Sequence, residues 1–356
     1  MSGRILSVES SCDETAVAVV ENGRRIVTNV VASQVALHAA TGGIVPEVAA
    51  RAHLRWMIPV LDEARTRAEI TDWSELDAIA VTEGPGLAGS LLVGITMAKT
   101  LAWLEGLPLV PVNHLEGHIY AAWLLDPDEP EKPTPEFPLV ALVVSGGHTF
   151  LVEMTSHLHY RLLGQTVDDA AGEAFDKVGR LLGLPYPGGP AIQKAAEGAG
   201  PHARRFPRAW LGESSDFSFS GLKTAARRAV ADELGVPAES VGAGSDGAAL
   251  PQQAIAELAD AFQDSVVEVL ATKTIRAAER INARSIVIGG GVAANSVLRQ
   301  RIADGAAALG VPLVVPRPGL CTDNASMIGA AGWWRFHAGA RAGVELDARP
   351  SLKLAV

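Results

Sequence analysis

Hydrophobic and polar positions follow the same order in two distant parts of this chain. Near the N-terminus, the apolar run RILSVES is followed by the polar turn SCDE and by a second apolar run, TAVAVVENG, within residues 4–23. The same order returns in residues 138–154, where PLVALVV, SGGHT and FLVEM follow one another. Short apolar runs bounded by polar turns are typical of β-strands. The pattern therefore predicts two β-hairpins and, from their repetition, two related lobes.

Further apolar runs predict an alternation of strands and helices. Residues 76–86 predict a strand that ends in a Gly-Pro turn, and the long apolar run 87–106 predicts a buried helix. A strand is predicted within residues 107–114. Residues 251–281 carry apolar side chains at helical spacing and precede a predicted strand, SIVIGGG, at 285–291. This alternation is typical of α/β layers.

A proline-rich segment separates the two copies of the pattern. Prolines stand at positions 127, 130, 133, 135 and 138, and proline is disfavoured in helix interiors and inner strands. We therefore predict an exposed connection and three regions. These are an N-terminal lobe over 1–135, a C-terminal lobe over 136–324, and a C-terminal segment over 325–356 whose helix packs back on the first lobe.

Composition narrows the class of protein. The 356 residues are 48% hydrophobic and 20% charged, and no run approaches the ~20 uninterrupted apolar residues of a membrane span. The N-terminus becomes acidic before a signal-peptide core could form. Cys12 and Cys321 are the only two cysteines, which excludes a disulfide scaffold and suits a reducing compartment. We expect a cytoplasmic protein.

The net charge of −10 bears on nucleic-acid binding. A protein that grips nucleic acid alone usually has a basic excess. Here the basic residues form only local clusters, such as Arg204, Arg205 and Arg208. If the substrate is a nucleic acid, we expect a partner protein to supply part of the binding surface.

Two histidines four residues apart are the main candidates for chemistry. His114 and His118 begin a predicted helix directly after an apolar strand, and residues at i and i+4 share one helical face. Asp323, in the polar stretch GLCTDNASMIG, could supply a third ligand. Three protein ligands with open positions are typical of a reactive metal centre. A pair of hydrogen-bonded histidines on a helix surface remains the alternative interpretation.

The residue order around this pair differs from that of zinc peptidases. Zincins carry H-E-x-x-H, in which the base adjoins the first ligand. Here Leu115 follows His114, and the glutamate is Glu116. At about 100° per residue, Glu116 points away from the face that carries the two histidines. The zincin mechanism is therefore not predicted.

Three polar turns have compositions that bear on nucleotide binding. SGGHT and GGGVAANS contain consecutive glycines, whose backbone N–H groups can converge on an anion. The equivalent turn of the first copy, ESSCDET, carries the negative charges of Asp13 and Glu14 instead. None matches the P-loop pattern GxxxxGK[ST]. Each turn alone is a weak indication, but together in a duplicated α/β frame they favour nucleotide binding.

Two further polar stretches allow both a structural and a functional interpretation. Residues 166–196 place Asp168 and Asp176 before the Gly188–Gly189 turn. Carboxylates can bind the hydroxyls of a ribose, but a charged helix face explains them equally. In DFSFSGLKTAARRA, a simple helix cap at Ser220 is an alternative to a binding role.

Taken together, these motifs resemble one protein family. In chain order they are ESSCDET, HAATGGIVPEVAARAH, TEGPGLAGSLLVG, NHLEGH, VSGGHT, GEAFDKVGRLLGLPYPGGP, FSFSGLKTA, GGGVAANS and CTDNASMIG. They are similar to motifs of the bacterial TsaD family, the tRNA N6-adenosine threonylcarbamoyltransferases, formerly called O-sialoglycoprotein endopeptidases (Gcp). The resemblance covers about residues 4–330.

The resemblance implies a fold and a set of site residues. The implied fold is actin/hexokinase/Hsp70-like (ASKHA), with two ribonuclease-H-like lobes and a nucleotide cleft between them. The implied metal ligands are His114, His118 and Asp323, which would hold one divalent ion per subunit, iron(II) or alternatively zinc. The other implied site residues are Val144, Ser145, Gly146, Gly147, His148, Asp176, Gly189 and Asn295 for the nucleotide, with Asp13 and Glu14 lining the reaction site.

The resemblance also implies a reaction and its partners. A threonylcarbamoyl group passes from threonylcarbamoyl-AMP to N6 of the adenine beside the anticodon, in tRNAs that read codons beginning with A (the t6A modification). The amine attacks the carbamoyl carbon, AMP leaves, and we predict that Asp13 or Glu14 accepts the amine proton. Implied protein partners are a TsaB paralogue and the TsaE ATPase. Gln193 stands where many relatives carry an acidic residue, so it is not predicted as a ribose ligand.

Alternative functions come from other classes. One is a metallopeptidase, as the family's former name suggests, but the position of Glu116 argues against it. Another is a nucleotide-dependent chaperone or scaffold of the ASKHA type, which has no need of a metal bound by two imidazoles. A carbamoyl transferase that acts on a small molecule is a third.

Overall fold

The computed structural model describes residues 3–39, 43–131, 133–242 and 250–354. The strands are, in chain order, β1 (Arg4–Glu9), β2 (Glu14–Glu21), β3 (Arg25–Ser33), β4 (Ala78–Gly84), β5 (Leu109–Asn113), β6 (Leu139–Val144), β7 (Thr149–Ser156), β8 (His159–Gln165), β9 (Ser285–Gly289) and β10 (Leu313–Val314). The helices are α1 (Val35–Ala39), α2 (Pro46–Arg67), α3 (Ala88–Glu105), α4 (His114–Tyr120), α5 (Ala171–Leu181), α6 (Gly188–Ala196), α7 (Ser220–Leu234), α8 (Gln252–Arg280), α9 (Ser296–Leu309), α10 (Pro318–Cys321) and α11 (Ala325–His337).

The described residues form two compact units, within which most of their spatial contacts lie. The first comprises those within Met1–Pro135, Ser156–Tyr160 and Pro316–Val356, and the second those within Glu136–Thr155 and Arg161–Val315. The sequence assigned residues 316–324 to the C-terminal lobe, whereas the structure groups them with the first unit. The reason is that they lead directly into α11, which packs on β1, β2 and α4.

Each unit contains a five-stranded mixed sheet with the same strand order. In the first unit the order is β3-β2-β1-β4-β5, and in the second it is β8-β7-β6-β9-β10. The first strand of each sheet, β1 or β6, is antiparallel to the next strand in the chain and parallel to β4 or β9. Both predicted hairpins are therefore confirmed.

Alternate residues of β1 and β2 face two different layers of helices. Leu6 and Val17 belong to the hydrophobic core that α2 and α3 cover, whereas Ala18 lies against Ala325 of α11. Ser7 also faces α11, and its Oγ donates a hydrogen bond to the carbonyl oxygen of Ala325 at 2.7 Å. Because both faces of the sheet are covered, these strands are apolar almost throughout, as strands buried on both faces usually are.

The helix predicted within 87–106 is α3. It ends at Gly106, whose φ of 66° is left-handed and whose N–H donates to the carbonyl of Ala102. Helix α4 starts as soon as β5 ends, because the side chain of Asn113 accepts a hydrogen bond from the N–H of Leu115 and caps the helix. This places His114 at the carboxyl end of a parallel strand. None of the described helices has both the length and the apolar composition needed to cross a bilayer.

Candidate functional site

Three side chains that could ligate a metal lie close together in the first unit. His114 begins α4, His118 follows one turn later, and Asp323 precedes α11. Oδ1 of Asp323 lies 3.5 Å from Nε2 of His114 and 3.4 Å from Nε2 of His118. One ligand atom from each of the three residues falls within 4.8 Å of the others. The structure thus brings together the three residues that the sequence singled out.

The chemistry of this cluster fits a divalent metal ion. His118 is fully buried, and among the described residues neither its Nδ1 nor its Nε2 has a hydrogen-bond partner. A buried polar group without a partner costs about 1–3 kcal/mol. Two imidazole nitrogens and one carboxylate are donors that iron(II) and zinc both accept. A metal ion would therefore satisfy an imidazole that has no hydrogen-bond partner among these residues.

Glu9 contacts this cluster, and sequence reasoning missed it. It ends β1, is completely buried, and its Oε2 lies 2.9 Å from Nδ1 of His114. Thr82 of β4 donates to the same oxygen at 2.7 Å, and the N–H of Ser11 donates to the other. The signal that could have found it is topological. Because β1, β4 and β5 are parallel neighbours, polar residues at their carboxyl ends meet at one edge of the sheet.

The electrostatics of the cluster favour positive charge. Burial disfavours the imidazolium form of His114, but the carboxylates of Asp323 and Glu9 outweigh it and raise the pKa of His114 to about 9. Burial likewise opposes ionisation of Glu9, but the neighbouring His114 prevails and lowers the pKa of Glu9. Opposite charges therefore stabilise each other here in spite of desolvation. A cation is the species that this position accepts most readily.

The acidic pair of the first turn lies next to the same region. Asp13 is buried in the turn between β1 and β2, and Glu14 begins β2, where its Oε1 accepts a hydrogen bond from Oγ of Ser33 at 3.1 Å. Burial, followed by the charges of Asp323 and Asp13, raises the pKa of Glu14 to about 10. With the charge of Asp323 uncompensated, this raised pKa favours the neutral carboxyl form of Glu14, which can donate a hydrogen bond.

In the second unit, the predicted glycine turn links β6 to β7. The N–H of Ser145 donates to the carbonyl oxygen of His148 at 2.8 Å, which closes the turn. A Cβ atom added to Gly146 or Gly147 would meet no heavy atom within 4 Å. One side of this turn is therefore open enough for a ligand to approach the backbone.

The other side of the same turn is packed against two glycines. A Cβ atom on Gly172 of α5 would lie 2.5 Å from the carbonyl oxygen of Ser145. A Cβ atom on Gly290, whose φ is 89°, would lie 2.5 Å from the carbonyl oxygen of Val144. Both positions therefore require glycine, because the backbone at the end of β6 is approached closely by α5 at Gly172 and by the residue after β9 at Gly290.

The remaining predicted nucleotide residues also lie in the second unit. Oδ1 of Asp176 accepts a hydrogen bond from the N–H of Gly188 at 2.7 Å, and the neighbouring Gly189 has open space around it. Asn295 is buried, and its Oδ1 caps α9 by accepting from the N–H of Leu298 at 3.0 Å. Its Nδ2 donates to Gln263. The contacts of Asn295 are thus structural, and its role toward adenine stays a prediction.

The helix cap predicted at Ser220 is wrong, because α7 begins at Ser220 itself, after Phe219, and the stretch FSFSG is held by Asp168 instead. Both oxygens of Asp168 accept hydrogen bonds there, from Oγ of Ser218, from the N–H of Phe219 and from Ser220. Asp168 thus anchors the start of α7. Gln193, the residue that departs from many relatives, accepts a hydrogen bond from the N–H of Ser296 at 3.0 Å and so connects α6 to α9.

Comparison with known proteins identifies the family. A family model described as TsaD, tRNA N6-adenosine threonylcarbamoyltransferase, matches residues 25–330. The chain belongs to the TsaD family. It is 56% identical to the tRNA N6-adenosine threonylcarbamoyltransferase of Thermomicrobium roseum, over 98% of this chain and 96% of that protein. It is 49% identical to the TsaD protein of the same description from Symbiobacterium thermophilum, over 99% of this chain and 98% of that protein.

Solved structures confirm the predicted fold class. HypF from T. kodakarensis matches this TsaD chain with a TM-score of 0.59 at 14% identity, over 95% of this chain and 48% of HypF. Full-length HypF in its phosphate- and nucleotide-bound form matches with a TM-score of 0.58 at 12% identity, over 96% of this chain and 47% of HypF. At such low identity the likeness concerns the fold alone, which is of the ASKHA class.

Proposed function

We propose that this chain transfers a threonylcarbamoyl group to N6 of adenosine in tRNA and so forms t6A. The observation that carries the proposal is membership of the TsaD family over residues 25–330. We further propose that the donor is threonylcarbamoyl-AMP and that the acceptor is the adenine beside the anticodon, in tRNAs that read codons beginning with A. The reaction is an acyl transfer, in which the amine attacks the carbamoyl carbon and AMP departs with the electron pair of the broken bond.

The second unit is proposed to bind the adenylate. The turn from Val144 to His148 leaves its glycines accessible, and such backbone N–H groups bind phosphate oxygens and stabilise charge on a leaving phosphate. Asp176 and Gly189 would bind the ribose. Asn295 would contact the side nearest the adenine while its side chain continues to cap α9.

One divalent metal ion per subunit is proposed for the first unit, held by His114, His118 and Asp323. Iron(II) is the proposed metal and zinc the alternative. When bound, such an ion supplies orientation and polarisation of substrate oxygens. The support is the burial of the His118 imidazole, which has no hydrogen-bond partner in the part of the chain that the structure describes, together with the negative charge that Asp323 and Glu9 place around His114.

Asp13 is proposed as the group that takes the proton from the attacking amine. Asp13 and Glu14 are both candidates by position, but burial and the charges of Asp323 and Asp13 raise the pKa of Glu14 and so disfavour its ionised form. A neutral carboxyl group can orient a substrate oxygen by donating a hydrogen bond, whereas a general base must be ionised. The two residues therefore have different proposed roles.

A TsaB paralogue and the TsaE ATPase are proposed as partners, with the reaction placed in the cytoplasm. The net charge of −10 supports the need for partners in tRNA binding. The proposed TsaB contact is an apolar groove of about 560 Å³ between α2 and α3. Its exposed side chains include Leu54, Ile58, Leu92 and Leu104, and exposed apolar patches of this kind typically mark protein contacts.

The contact is tested by co-elution with TsaB. Ile58→Asp should abolish co-elution, whereas Glu63→Gln, an exposed change on the same helix, should preserve it. If the chain alone elutes as a dimer that Ile58→Asp disrupts, the groove joins two copies of this chain instead.

The activity is tested by reconstitution. The chain, its partners and the adenylate-forming enzyme are incubated with tRNA, threonine, bicarbonate and ATP, and the nucleosides are analysed by mass spectrometry. The modified adenosine is expected with the natural chain and not with Asp323→Ala. Its absence with folded components and a demonstrated supply of threonylcarbamoyl-AMP would contradict the proposed function.

A further inference from the structure

The carboxylate of Glu9 lies among hydrogen-bond donors. It is completely buried at the end of β1. Its Oε2 receives the hydroxyl of Thr82 at 2.7 Å and faces Nδ1 of His114 at 2.9 Å, while its Oε1 receives the N–H of Ser11. An ionised carboxylate only accepts hydrogen bonds. Every group around it must therefore point a hydrogen at it, including the imidazole of His114.

This constraint fixes which imidazole nitrogen of His114 carries a proton and which one can ligate a metal ion. A neutral imidazole carries one N–H, and the nitrogen that carries it cannot ligate a metal. If Nδ1 donates to Glu9, the lone pair is on Nε2. Nε2 is also the nitrogen that lies 3.5 Å from Oδ1 of Asp323. The hydrogen bond on one side of the ring thus prepares the other side for ligation.

We propose that Glu9 is a positioning residue for the candidate metal site, which holds the proton of His114 on Nδ1 and presents Nε2 as the ligand atom. The inference rests on the proposed metal site and concerns a residue that does not itself contact the metal or the substrate. Carboxylates that receive the second N–H of a ligating histidine typically change metal affinity by about 10- to 100-fold when removed.

The substitution Glu9→Gln tests the inference sharply because the surrounding donors are not equivalent. The N–H of Ser11 belongs to the backbone and cannot reverse, so the amide oxygen of a glutamine must face it. The amide NH₂ then faces Nδ1 of His114, while the hydroxyl of Thr82 can rotate to accept. Oγ of Ser11 also lies 3.2 Å from Nδ1, and this hydroxyl can either donate or accept. The amide hydrogen therefore favours the tautomer that accepts on Nδ1 and carries its proton on Nε2, which cannot ligate through Nε2.

The experiment measures zinc affinity of the full-length chain by titration against a chromophoric chelator. Glu9→Gln should weaken zinc binding by about 10- to 100-fold, and Thr82→Val, which leaves the carboxylate in place, should weaken it less. Glu63→Gln, an exposed change on α2, is the control and should bind zinc as the natural chain does. A folded Glu9→Gln variant with unchanged zinc affinity would overturn the inference.

A second measurement does not depend on the variant folding. In ¹⁵N spectra of the zinc-loaded natural chain, His114 should show a protonated Nδ1 and a metal-bound Nε2. The opposite assignment would also overturn the inference. If the natural chain binds no zinc and no iron(II), the proposed metal site fails. If it binds either metal and Glu9→Gln has no effect, only the role of Glu9 fails.

Discussion

Glu116 accepts two hydrogen bonds from the guanidinium group of Arg335, one from Nε and one from Nη2 at 2.8 Å. Glu116 lies on α4 between His114 and His118, and Arg335 lies in the last turn of α11, the helix that follows Asp323. The ion pair therefore connects α4, which carries both histidines, to α11, which begins directly after Asp323 and Asn324. Because both oxygens of Glu116 are occupied, the carboxylate is not placed to act as the base of a zinc peptidase.

Removing one partner of this ion pair should destabilise the chain strongly. Glu116→Leu leaves the guanidinium of Arg335, only 21% exposed, without its carboxylate, and such a loss costs about 3–5 kcal/mol. Replacing both residues by apolar ones should recover part of that cost. Urea denaturation measures these changes. The control is Arg51→Ala, which breaks an exposed pair with Glu47 and should cost less than about 1 kcal/mol. Equal costs for the two single variants would contradict the prediction.

Metal addition should stabilise the natural chain but not variants that lack one of the three candidate ligands, here called the triad (His114, His118 and Asp323). After chelator treatment, zinc or iron(II) at 100 times its dissociation constant should add about 2.7 kcal/mol of stability. Asp323→Ala and His118→Leu should show no such gain in thermal denaturation. Without metal, His118→Leu should be at least as stable as the natural chain, because it removes two buried nitrogens that have no hydrogen-bond partner among the described residues.

A control separates this effect from a general loss of histidine. His159→Leu changes an exposed histidine outside the triad and should keep the response to metal. A metal response that survives in Asp323→Ala would show that the stabilising ion binds elsewhere.

The hairpins and the two candidate histidine ligands could be predicted because their signals are local. Short apolar runs bounded by polar turns marked β1, β2, β6 and β7, and the i, i+4 spacing placed His114 and His118 on one face of α4. Asp323 was found through its motif, since nothing local connects it to residues about two hundred positions earlier. Where a pattern lies within one element, the sequence was sufficient.

The positions and roles that the sequence did not predict depend on tertiary contacts. Glu9 reaches His114 only because β1, β4 and β5 are parallel neighbours in a fixed register. Residues 316–324 join the first unit because α11 packs on β1 and β2, which no composition signal reports. In the same way, the cap that Asn295 provides for α9 is clear only once the start of that helix is known.

The stability of the chain should fall at acidic pH partly through His157. Its ring stacks on Trp334 with centroids 3.5 Å apart and on Tyr120 with centroids 5.7 Å apart, and burial lowers its pKa to about 4. The unfolded chain, with a histidine pKa near 6.5, therefore binds more protons between these values. The contribution is present above pH ~6.5 and is lost as pH falls toward about 4, by about 1–3 kcal/mol.

His157→Phe isolates this contribution because it keeps an aromatic ring in the stack. Urea denaturation between pH 7 and pH 4 should show a shallower loss of stability for the variant than for the natural chain. His53, whose pKa burial also lowers, remains in both chains and cancels in the comparison. Parallel curves would contradict the assignment to His157.

The two acidic residues of the first turn should differ in their effect on catalysis. Asp13→Asn removes the proposed base and should lower the single-turnover rate of threonylcarbamoyl transfer by about 10²- to 10⁴-fold. Glu14→Gln replaces a carboxyl whose raised pKa favours the neutral form, and should have the smaller effect. Rapid-quench assays with excess enzyme measure both rates. The reverse order of effects would assign the proton transfer to Glu14.

Substitution by alanine should lower the stability of the chain at one glycine near the β6–β7 turn and leave it almost unchanged at another. In Gly290→Ala, the Cβ atom would lie 2.5 Å from the carbonyl oxygen of Val144, and the φ of 89° disfavours alanine. This variant should lose about 1–3 kcal/mol of stability. In Gly147→Ala the Cβ atom meets no heavy atom within 4 Å, so stability should change by less than about 0.5 kcal/mol.

The same methyl group on Gly147 should nevertheless weaken the binding of AMP, because it would occupy the open side of the turn where the phosphate is proposed to approach the backbone. Calorimetric titration with AMP measures this effect, and at least a tenfold loss of affinity is expected. Since Gly147→Ala keeps the fold, the loss would report on contact with the ligand and not on stability. Unchanged AMP affinity would mean that the turn is open for a reason other than nucleotide binding.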